Sequence, residues 1–281
     1  MPGRYVVRIE QHDLSRPVRK VMLLTLDDLE SVQDYRDPSS FGSLCLSVLV
    51  SLGFIDPSMS AAPLADQLLG LAGGGLHLST WSRLPPGSGL GGSSILASAL
   101  VAAVCEATGR RVEGGESGLV AAVLHVEQLM TTGGGWQDQV GCIYPGIKMA
   151  TSPPSLPLRV DVRPLDALPS GFIDRLERQM VLVYTGTTRL ARNLLRSVLQ
   201  KWFLQTADMI ELVEALKQGA ADAERACTAG DVRALGMALD AYWAQKKMLG
   251  GPSTEPYHVT RLMGAFRPHV WGASTNLVLT C

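Results

Sequence analysis

The sequence predicts an α+β protein built from two domains. Three observations support this prediction: strand-like segments are interspersed with helical ones, a glycine-rich loop joins a strand to a helix, and the composition changes after residues 152–155, Ser-Pro-Pro-Ser. We therefore predict a sheet-and-helix domain with the glycine-rich loop over 1–153, and a helix-rich α+β domain over 154–281. A chain of 281 residues, of which 46% are hydrophobic, has enough apolar side chains for a sizeable core.

The individual elements follow from hydrophobic periodicity. Strands show short apolar runs or alternation of apolar and polar residues, whereas helices show apolar residues three to four positions apart. In the first domain the predicted strands are 5–9, 21–26 and 75–82, and the predicted helices are 41–53, 63–71, 95–107 and 117–130. In the second domain the predicted strands are 158–162 and 180–184, and the predicted helices are about 188–204, 206–228 and 231–249. Asp231 is predicted to cap the last helix.

The segment Leu84–Ser94 is the strongest functional signal. It reads Leu-Pro-Pro-Gly-Ser-Gly-Leu-Gly-Gly-Ser-Ser, between a predicted strand and a predicted helix. Glycines let the backbone approach a ligand closely, and a helix N-terminus presents free N–H groups and a positive dipole end. This layout predicts a phosphate site rather than a flexible turn. The predicted phosphate-binding residues are Pro86, Gly87, Ser88, Gly89, Leu90, Gly91, Gly92, Ser93 and Ser94.

This loop does not match the two best-known phosphate-binding motifs. It has no Gly-Lys-[Ser/Thr] ending and contains no lysine, so it is not a Walker A loop. Its glycines are also denser than those of the dinucleotide fingerprint. Charge neutralisation must therefore come from backbone N–H groups, from Mg²⁺ or from residues elsewhere in the chain.

Glu127 is a single carboxylate within an otherwise apolar predicted helix. One interpretation places it on a solvent-facing polar stripe with Gln128, because glutamate is rarely buried without a partner. The other makes it a Mg²⁺ ligand together with Ser93, because Mg²⁺ is commonly held by one or two carboxylates and by phosphates.

Asp138 follows a second glycine-rich stretch, in Gly-Gly-Gly-Trp-Gln-Asp-Gln over 133–139. An aspartate in such a stretch is often only a turn residue. The functional interpretation is a catalytic carboxylate that accepts the proton of a hydroxyl attacking a γ-phosphate.

Thr185, Gly186 and Arg189 follow the predicted strand at 180–184. One interpretation is that all three line a substrate cleft at the end of that strand. The alternative for Arg189 is a position on a solvated helix face.

Composition argues against several other functions. The 25 basic and 26 acidic residues nearly balance, which disfavours bulk electrostatic binding to nucleic acid or to an anionic membrane. No apolar stretch is long enough to span a bilayer, and no signal peptide is evident. The five cysteines are scattered and show no Cys-x-x-Cys pair, so we predict no disulfide framework or zinc site and a cytoplasmic location.

The segment 85–94 resembles the phosphate loop of the GHMP kinases. The usual form of that loop is Pro-x-x-x-Gly-Leu-Gly-Ser-Ser-Ala, so Gly92 stands where the family has its first serine. The motifs at 135–139 and 184–189 look most like the branch of the L-fucose kinases and heptose-phosphate kinases. Together with the long helical tail, they resemble the C-terminal kinase domain of animal L-fucose kinases, over residues 5–263.

The resemblance implies a two-domain α+β GHMP kinase fold with ATP bound between the domains. It implies ATP-dependent phosphorylation of L-fucose at the anomeric hydroxyl, giving L-fucose 1-phosphate, with a heptose or heptose-phosphate as the alternative substrate. By the same resemblance, Ser93 and Glu127 would hold Mg²⁺ and Asp138 would be the catalytic carboxylate.

Two family motifs have no counterpart here. The N-terminal Arg-x-Asp and Gly-Gly-x-x-Asp motif does not precede Tyr5, and the late glycine-rich motif is replaced by Gly272-Ala273-Ser274. The N-terminal pyrophosphorylase domain of the animal enzyme is also missing. The resemblance therefore implies truncation at both ends, and the alternative function is a non-catalytic chain that binds nucleotide weakly or serves only in interactions.

Overall fold

The computed structural model describes residues 6–13, 20–30, 32–59, 62–85, 87–131, 134–185, 192–251 and 254–274. The chain divides into two compact units, Met1–Pro145 and Gly146–Cys281. Both helices and strands are present in each unit, so the predicted α+β class is confirmed.

A three-stranded sheet opens the first unit. Its strands are β1 (Val7–Asp13), β2 (Lys20–Leu26) and β3 (Leu76–Ser82), in the order β2-β1-β3. The central strand β1 pairs antiparallel with β2 and parallel with β3. Val7 and Ile9 are fully buried whereas Arg8 between them is exposed, as expected for a sheet with one face on the core.

Five α-helices are found among the described residues of the first unit. They are α1 (Ser43–Ser51), α2 (Leu64–Ala72), α3 (Gly92–Ala107), α4 (Gly115–Leu129) and α5 (Gln137–Ile143). Helix α1 is buried from Ser43 through Leu49, which explains why its sequence is apolar on every side. Helix α4 packs against α1 and α3, and α5 packs against both α3 and α4. The N-terminus of α3 is thereby brought close to residues from two other helices.

The described residues of the second unit form a small sheet and five α-helices. Strands β4 (Lys148–Thr151) and β5 (Asp161–Pro164) are antiparallel. The helices are α6 (Phe172–Gln179), α7 (Arg192–Phe203), α8 (Ala207–Ala229), α9 (Val232–Gly250) and α10 (Tyr257–Phe266). Helix α8 packs against α9, and α7 contacts both of them. The predicted cap of α9 is present, because the Asp231 carboxylate accepts a hydrogen bond from the backbone N–H of Ala234 at 2.9 Å.

Two segments of the second unit differ from the sequence-based interpretation. The Ser-Pro-Pro-Ser stretch, at which the sequence places a domain boundary, lies in the connection between β4 and β5. The predicted strand at 180–184 is irregular, and Val181 and Leu182 are 80% and 71% exposed. Strand propensity is realised only where a partner strand supplies the hydrogen bonds, and none of the described residues pairs with this segment.

The helices of the described ranges include none that combines the length and the apolar character required to cross a membrane.

Candidate functional site

The glycine-rich loop connects β3 to α3 as the sequence predicts. Gly87, Gly89 and Gly91 have φ angles of 69°, 76° and 68°, the left-handed region that side chains with a Cβ rarely adopt. Gly91 is the N-cap of α3, and none of the described side chains caps this end of the helix. The N–H groups of the first turn of α3 are therefore available to an anion. Pro86, the one predicted phosphate-binding residue not placed here, lies outside the described residues.

Two neighbouring glycines of the loop should respond oppositely to alanine. We expect Gly91→Ala to lower the free energy of unfolding by about 1–2 kcal/mol, because a Cβ is strained at a positive φ. Gly92→Ala should be neutral or stabilising by up to about 1 kcal/mol, because Gly92 is helical and a Cβ there would meet open space. Denaturant unfolding of the two variants measures this difference, and equal losses would contradict the strained loop.

Glu127 lies at the centre of a hydrogen-bonded group drawn from α3, α4 and α5. Ser94 Oγ donates to Glu127 Oε1 at 2.5 Å, and Ser93 Oγ lies 3.4 Å from the same oxygen. Gln139 Nε2 donates to Glu127 Oε2 at 2.8 Å. Glu127 is only 9% exposed, so the solvent-facing interpretation of this carboxylate is wrong. The residue is buried with partners for both of its oxygens.

Burial raises the pKa of the Glu127 carboxyl above its ordinary value. The hydrogen bonds from Ser94, Ser93 and Gln139 favour the charged form and lower this pKa, whereas the negative charge of Asp138 raises it further. Two carboxyl groups thus share one region of the first unit, and a cation bound there would relieve both the burial and the repulsion.

Asp138 lies in the first turn of α5, not in a glycine-rich turn. Its side chain is exposed, and its Cβ would lie 4.0 Å from a Cβ built on Gly91. The carboxylate is therefore beside the N-cap of α3, at the end of the glycine-rich loop. Gly134 passes close to the other carboxylate, since a Cβ built there would lie 3.8 Å from Glu127 Oε2. The structure thus brings together Ser93, Glu127 and Asp138, which are far apart in the sequence.

A divalent metal ion fits this arrangement. Two neighbouring ligands of an octahedral Mg²⁺, each about 2.1 Å from the ion, lie about 3 Å apart. The 3.4 Å between Ser93 Oγ and Glu127 Oε1 is close to that separation. Within the described ranges there is no group of three or more His, Cys, Asp or Glu residues arranged to hold a metal. The remaining ligands of a Mg²⁺ ion would be phosphate oxygens and water, as is usual for this ion.

The other predicted site residues stay predictions. Thr185 is exposed, as are the neighbouring residues 180–184. Gly186 and Arg189 lie outside the described residues.

Gln139 is the member of the site that sequence reasoning missed. It is fully buried, although it directly follows the exposed Asp138. The sequence gives no signal for this burial, because α5 has only seven residues and its periodicity does not show which side of the helix faces inward.

Comparison with known families and proteins identifies the type of domain. Residues 59–146 match the family described as the GHMP kinases N terminal domain. The chain is 39% identical over 171 residues to a bifunctional fucokinase/GDP-fucose pyrophosphorylase from Arabidopsis thaliana. The aligned residues cover 60% of this chain and 16% of that protein. It is 31% identical over 250 residues to an L-fucokinase/L-fucose-1-P guanylyltransferase from Bacteroides fragilis, covering 87% of this chain and 26% of that protein.

A third relative is a D-glycero-alpha-D-manno-heptose 7-phosphate kinase from Campylobacter jejuni, 30% identical over 172 residues, or 61% of this chain and 49% of that protein. The chain therefore spans less than half the length of each of these three relatives.

Solved structures share the fold. A D-glycero-D-manno-heptose 1-phosphate kinase from Bacteroides thetaiotaomicron superposes with a TM-score of 0.53 at 21% identity, covering 85% of this chain and 63% of that one. The mevalonate kinase of L. major superposes with a TM-score of 0.57 at 14% identity, and the superposition covers 95% of this chain and 69% of that kinase. The α+β architecture is thus of the GHMP kinase type.

Proposed function

We propose that this chain, which contains a GHMP kinase N-terminal domain, is an ATP-dependent carbohydrate kinase that phosphorylates L-fucose at its anomeric hydroxyl. The observation that carries the proposal is the convergence of Ser93, Glu127 and Asp138 at the N-terminus of α3, where the glycine-rich loop ends. The 39% and 31% identity to two fucokinases supports L-fucose as the substrate.

Each part of the site has a role in phosphoryl transfer. The loop and the first turn of α3 bind the phosphates of ATP through backbone N–H groups. Ser93 and Glu127 would hold Mg²⁺, which would neutralise charge on those phosphates. Asp138 accepts the proton of the sugar hydroxyl as the hydroxyl oxygen forms its bond to the γ-phosphorus. The bond from that phosphorus to the β–γ bridging oxygen breaks, so the products are L-fucose 1-phosphate and ADP.

A heptose or heptose-phosphate is the second candidate substrate. The 30% identity to a heptose 7-phosphate kinase and the fold shared with a heptose 1-phosphate kinase favour it. Both candidates use the same phosphate loop and the same carboxylates, so the difference between them must come from the residues that contact the sugar.

A cytoplasmic location is part of the proposal. The described cysteines Cys45, Cys105, Cys142 and Cys227 are all free thiols, which suits a reducing compartment.

A coupled assay of ADP release tests the proposal. We expect turnover with Mg·ATP and L-fucose, and weaker or no turnover with a heptose, a heptose 1-phosphate or a heptose 7-phosphate. Turnover with only a heptose derivative would contradict the substrate but not the reaction. A folded chain that binds ATP and phosphorylates no sugar would contradict the kinase itself.

A further inference from the structure

We infer that Gln139 is a positioning residue for Glu127: its buried side-chain amide fixes the carboxylate so that Oε1 faces Ser93 and the phosphate loop. This inference rests on the proposed function, because it assumes that Glu127 holds the metal ion of a kinase site. It adds a residue whose role is to set the geometry of a metal ligand rather than to contact the metal or the substrate.

The two oxygens of Glu127 have different partners. Oε1 is shared by the two serine hydroxyls at the start of α3, at 2.5 Å from Ser94 Oγ and 3.4 Å from Ser93 Oγ. Oε2 accepts the hydrogen bond of Gln139 Nε2 at 2.8 Å. A carboxylate held at both oxygens cannot rotate freely about its last torsion. The hydrogen bond from Gln139 therefore helps to fix the plane of the carboxylate and the direction in which its other oxygen faces the glycine-rich loop.

The position of the Gln139 amide leaves its buried side-chain oxygen without a hydrogen bond from the described residues. The residue has no exposed surface, and its Oε1 makes no hydrogen bond with any part of the chain that the structure describes. A buried amide oxygen without a partner is unfavourable, and few occur in folded proteins. The opposite amide orientation would place that oxygen against the Glu127 carboxylate, so the observed one is the better of the two. The side chain thus gives up one hydrogen bond and keeps the one to Glu127.

The backbone of Gln139 is linked through side-chain contacts to Ser94, which is the residue that donates to the other oxygen of Glu127. Cys142 Sγ donates to the Gln139 carbonyl oxygen at 3.2 Å, and it lies 3.4 Å from Ser98 Oγ. Ser98 Oγ in turn donates to the Ser94 carbonyl oxygen at 2.7 Å. The group Ser94, Ser98, Cys142, Gln139 and Glu127 therefore forms a closed ring of contacts across α3, α4 and α5. Such a ring keeps the donors to the two carboxylate oxygens at a fixed separation.

The test replaces the amide with an apolar side chain of similar size, Gln139→Met. The measured quantity is the factor by which Mn²⁺ tightens the binding of ADP to the whole chain, from calorimetric titrations with and without the metal. We expect this factor to fall at least ~10-fold, the usual effect of losing a residue that supports a metal ligand. Metal-free ADP affinity should stay the same, because the side-chain hydrogen bond of Gln139 that the structure describes is made to Glu127 and not to the glycine-rich loop. In the sugar kinase assay, the KM for Mg²⁺ should rise while kcat at saturating Mg²⁺ changes little.

Gln128→Met is the matched control, because Gln128 neighbours Glu127 on α4 but is exposed. It should leave both the metal effect and the activity unchanged. A folded Gln139→Met variant that keeps the full metal effect would overturn the inference and leave the proposed function standing. A wild-type chain that shows neither a metal effect on ADP binding nor turnover would overturn both.

A second measurement covers the case in which Gln139→Met does not fold. In the wild-type chain, the side-chain amide protons of Gln139 should exchange with solvent much more slowly than those of the exposed Gln128, as followed by NMR. The Gln139 signals should also shift when Mg²⁺ is added to the ADP complex. Fast exchange or no shift would overturn the inference without any variant.

Discussion

The Asp138→Asn variant is expected to turn over sugar ~10²–10⁴ times more slowly than the wild type, because an amide cannot accept the hydroxyl proton that the carboxylate accepts. ATP affinity should be nearly unchanged. Asp138 is exposed in the first turn of α5, so an asparagine of the same shape removes no buried packing. The kcat from ADP release and the ATP dissociation constant from calorimetry measure the two effects separately.

Asp66→Asn is the matched control for this prediction. Asp66 is also an exposed aspartate in the first turn of a helix, but that helix is α2 and not one of the three that form the site. It should change neither constant. If Asp138→Asn weakened ATP binding as much as it lowered the rate, the carboxylate would act in nucleotide binding and the assigned role would be wrong.

The sequence predicts the backbone geometry of the glycine-rich loop well because the signal there is local. Positive φ angles need glycine, and a helix start needs a change in periodicity, so both can be read over 84–94 without knowing the rest of the fold. The environment of Glu127 is different. Its burial depends on α3 and α5 packing against α4, which no pattern within α4 reveals. The sequence therefore leaves two interpretations of Glu127 open, and only the structure decides between exposure and burial.

Short-range patterns also fail where an element is short or lacks a partner. Helix α5 has only seven residues, fewer than two turns, so its periodicity is too weak to distinguish it from a turn after the glycines. The apolar run at 180–184 has the composition of a strand, but strand formation needs hydrogen bonds from a neighbour that the run itself cannot supply. The short length of α5 explains why the burial of Gln139 was missed. The lack of a described partner strand explains why Val181 is exposed and not part of a sheet.

Replacing Glu127 with glutamine should lower the kcat/KM for Mg·ATP by more than the ~10–100-fold typical of losing a supporting residue, because a ligand itself is lost. The amide is similar in size to the carboxylate but neutral, so it binds Mg²⁺ weakly. One of its ends would also present N–H groups to the donors Ser94 or Gln139, which now donate to carboxylate oxygens. Raising the Mg²⁺ concentration should recover part of the rate in the kinase assay.

The same variant should change how the stability of the metal-free chain depends on pH. Burial raises the pKa of Glu127 in the folded chain above its value in the unfolded chain. Between these two pKa values the folded chain binds more protons, so the contribution of Glu127 to stability falls as pH rises through that window and is constant above it. Glu127→Gln does not titrate and lacks this decline. Its free energy of unfolding, relative to that of the wild type, should therefore increase as pH rises from the ordinary carboxyl range.

Urea unfolding of both chains across that pH range, with a chelator present, measures the difference. Glu116→Gln is the control for the loss of one carboxylate from the same helix, because Glu116 is exposed in the first turn of α4. Adding Mg²⁺ with ADP should stabilise the wild type and the control more than Glu127→Gln, because the stabilisation by a ligand that binds only the folded state grows with the logarithm of its affinity. Parallel pH curves for Glu127→Gln and the wild type would mean that folding leaves the pKa of Glu127 unchanged, and the expected effect of burial on this carboxyl group would then be wrong.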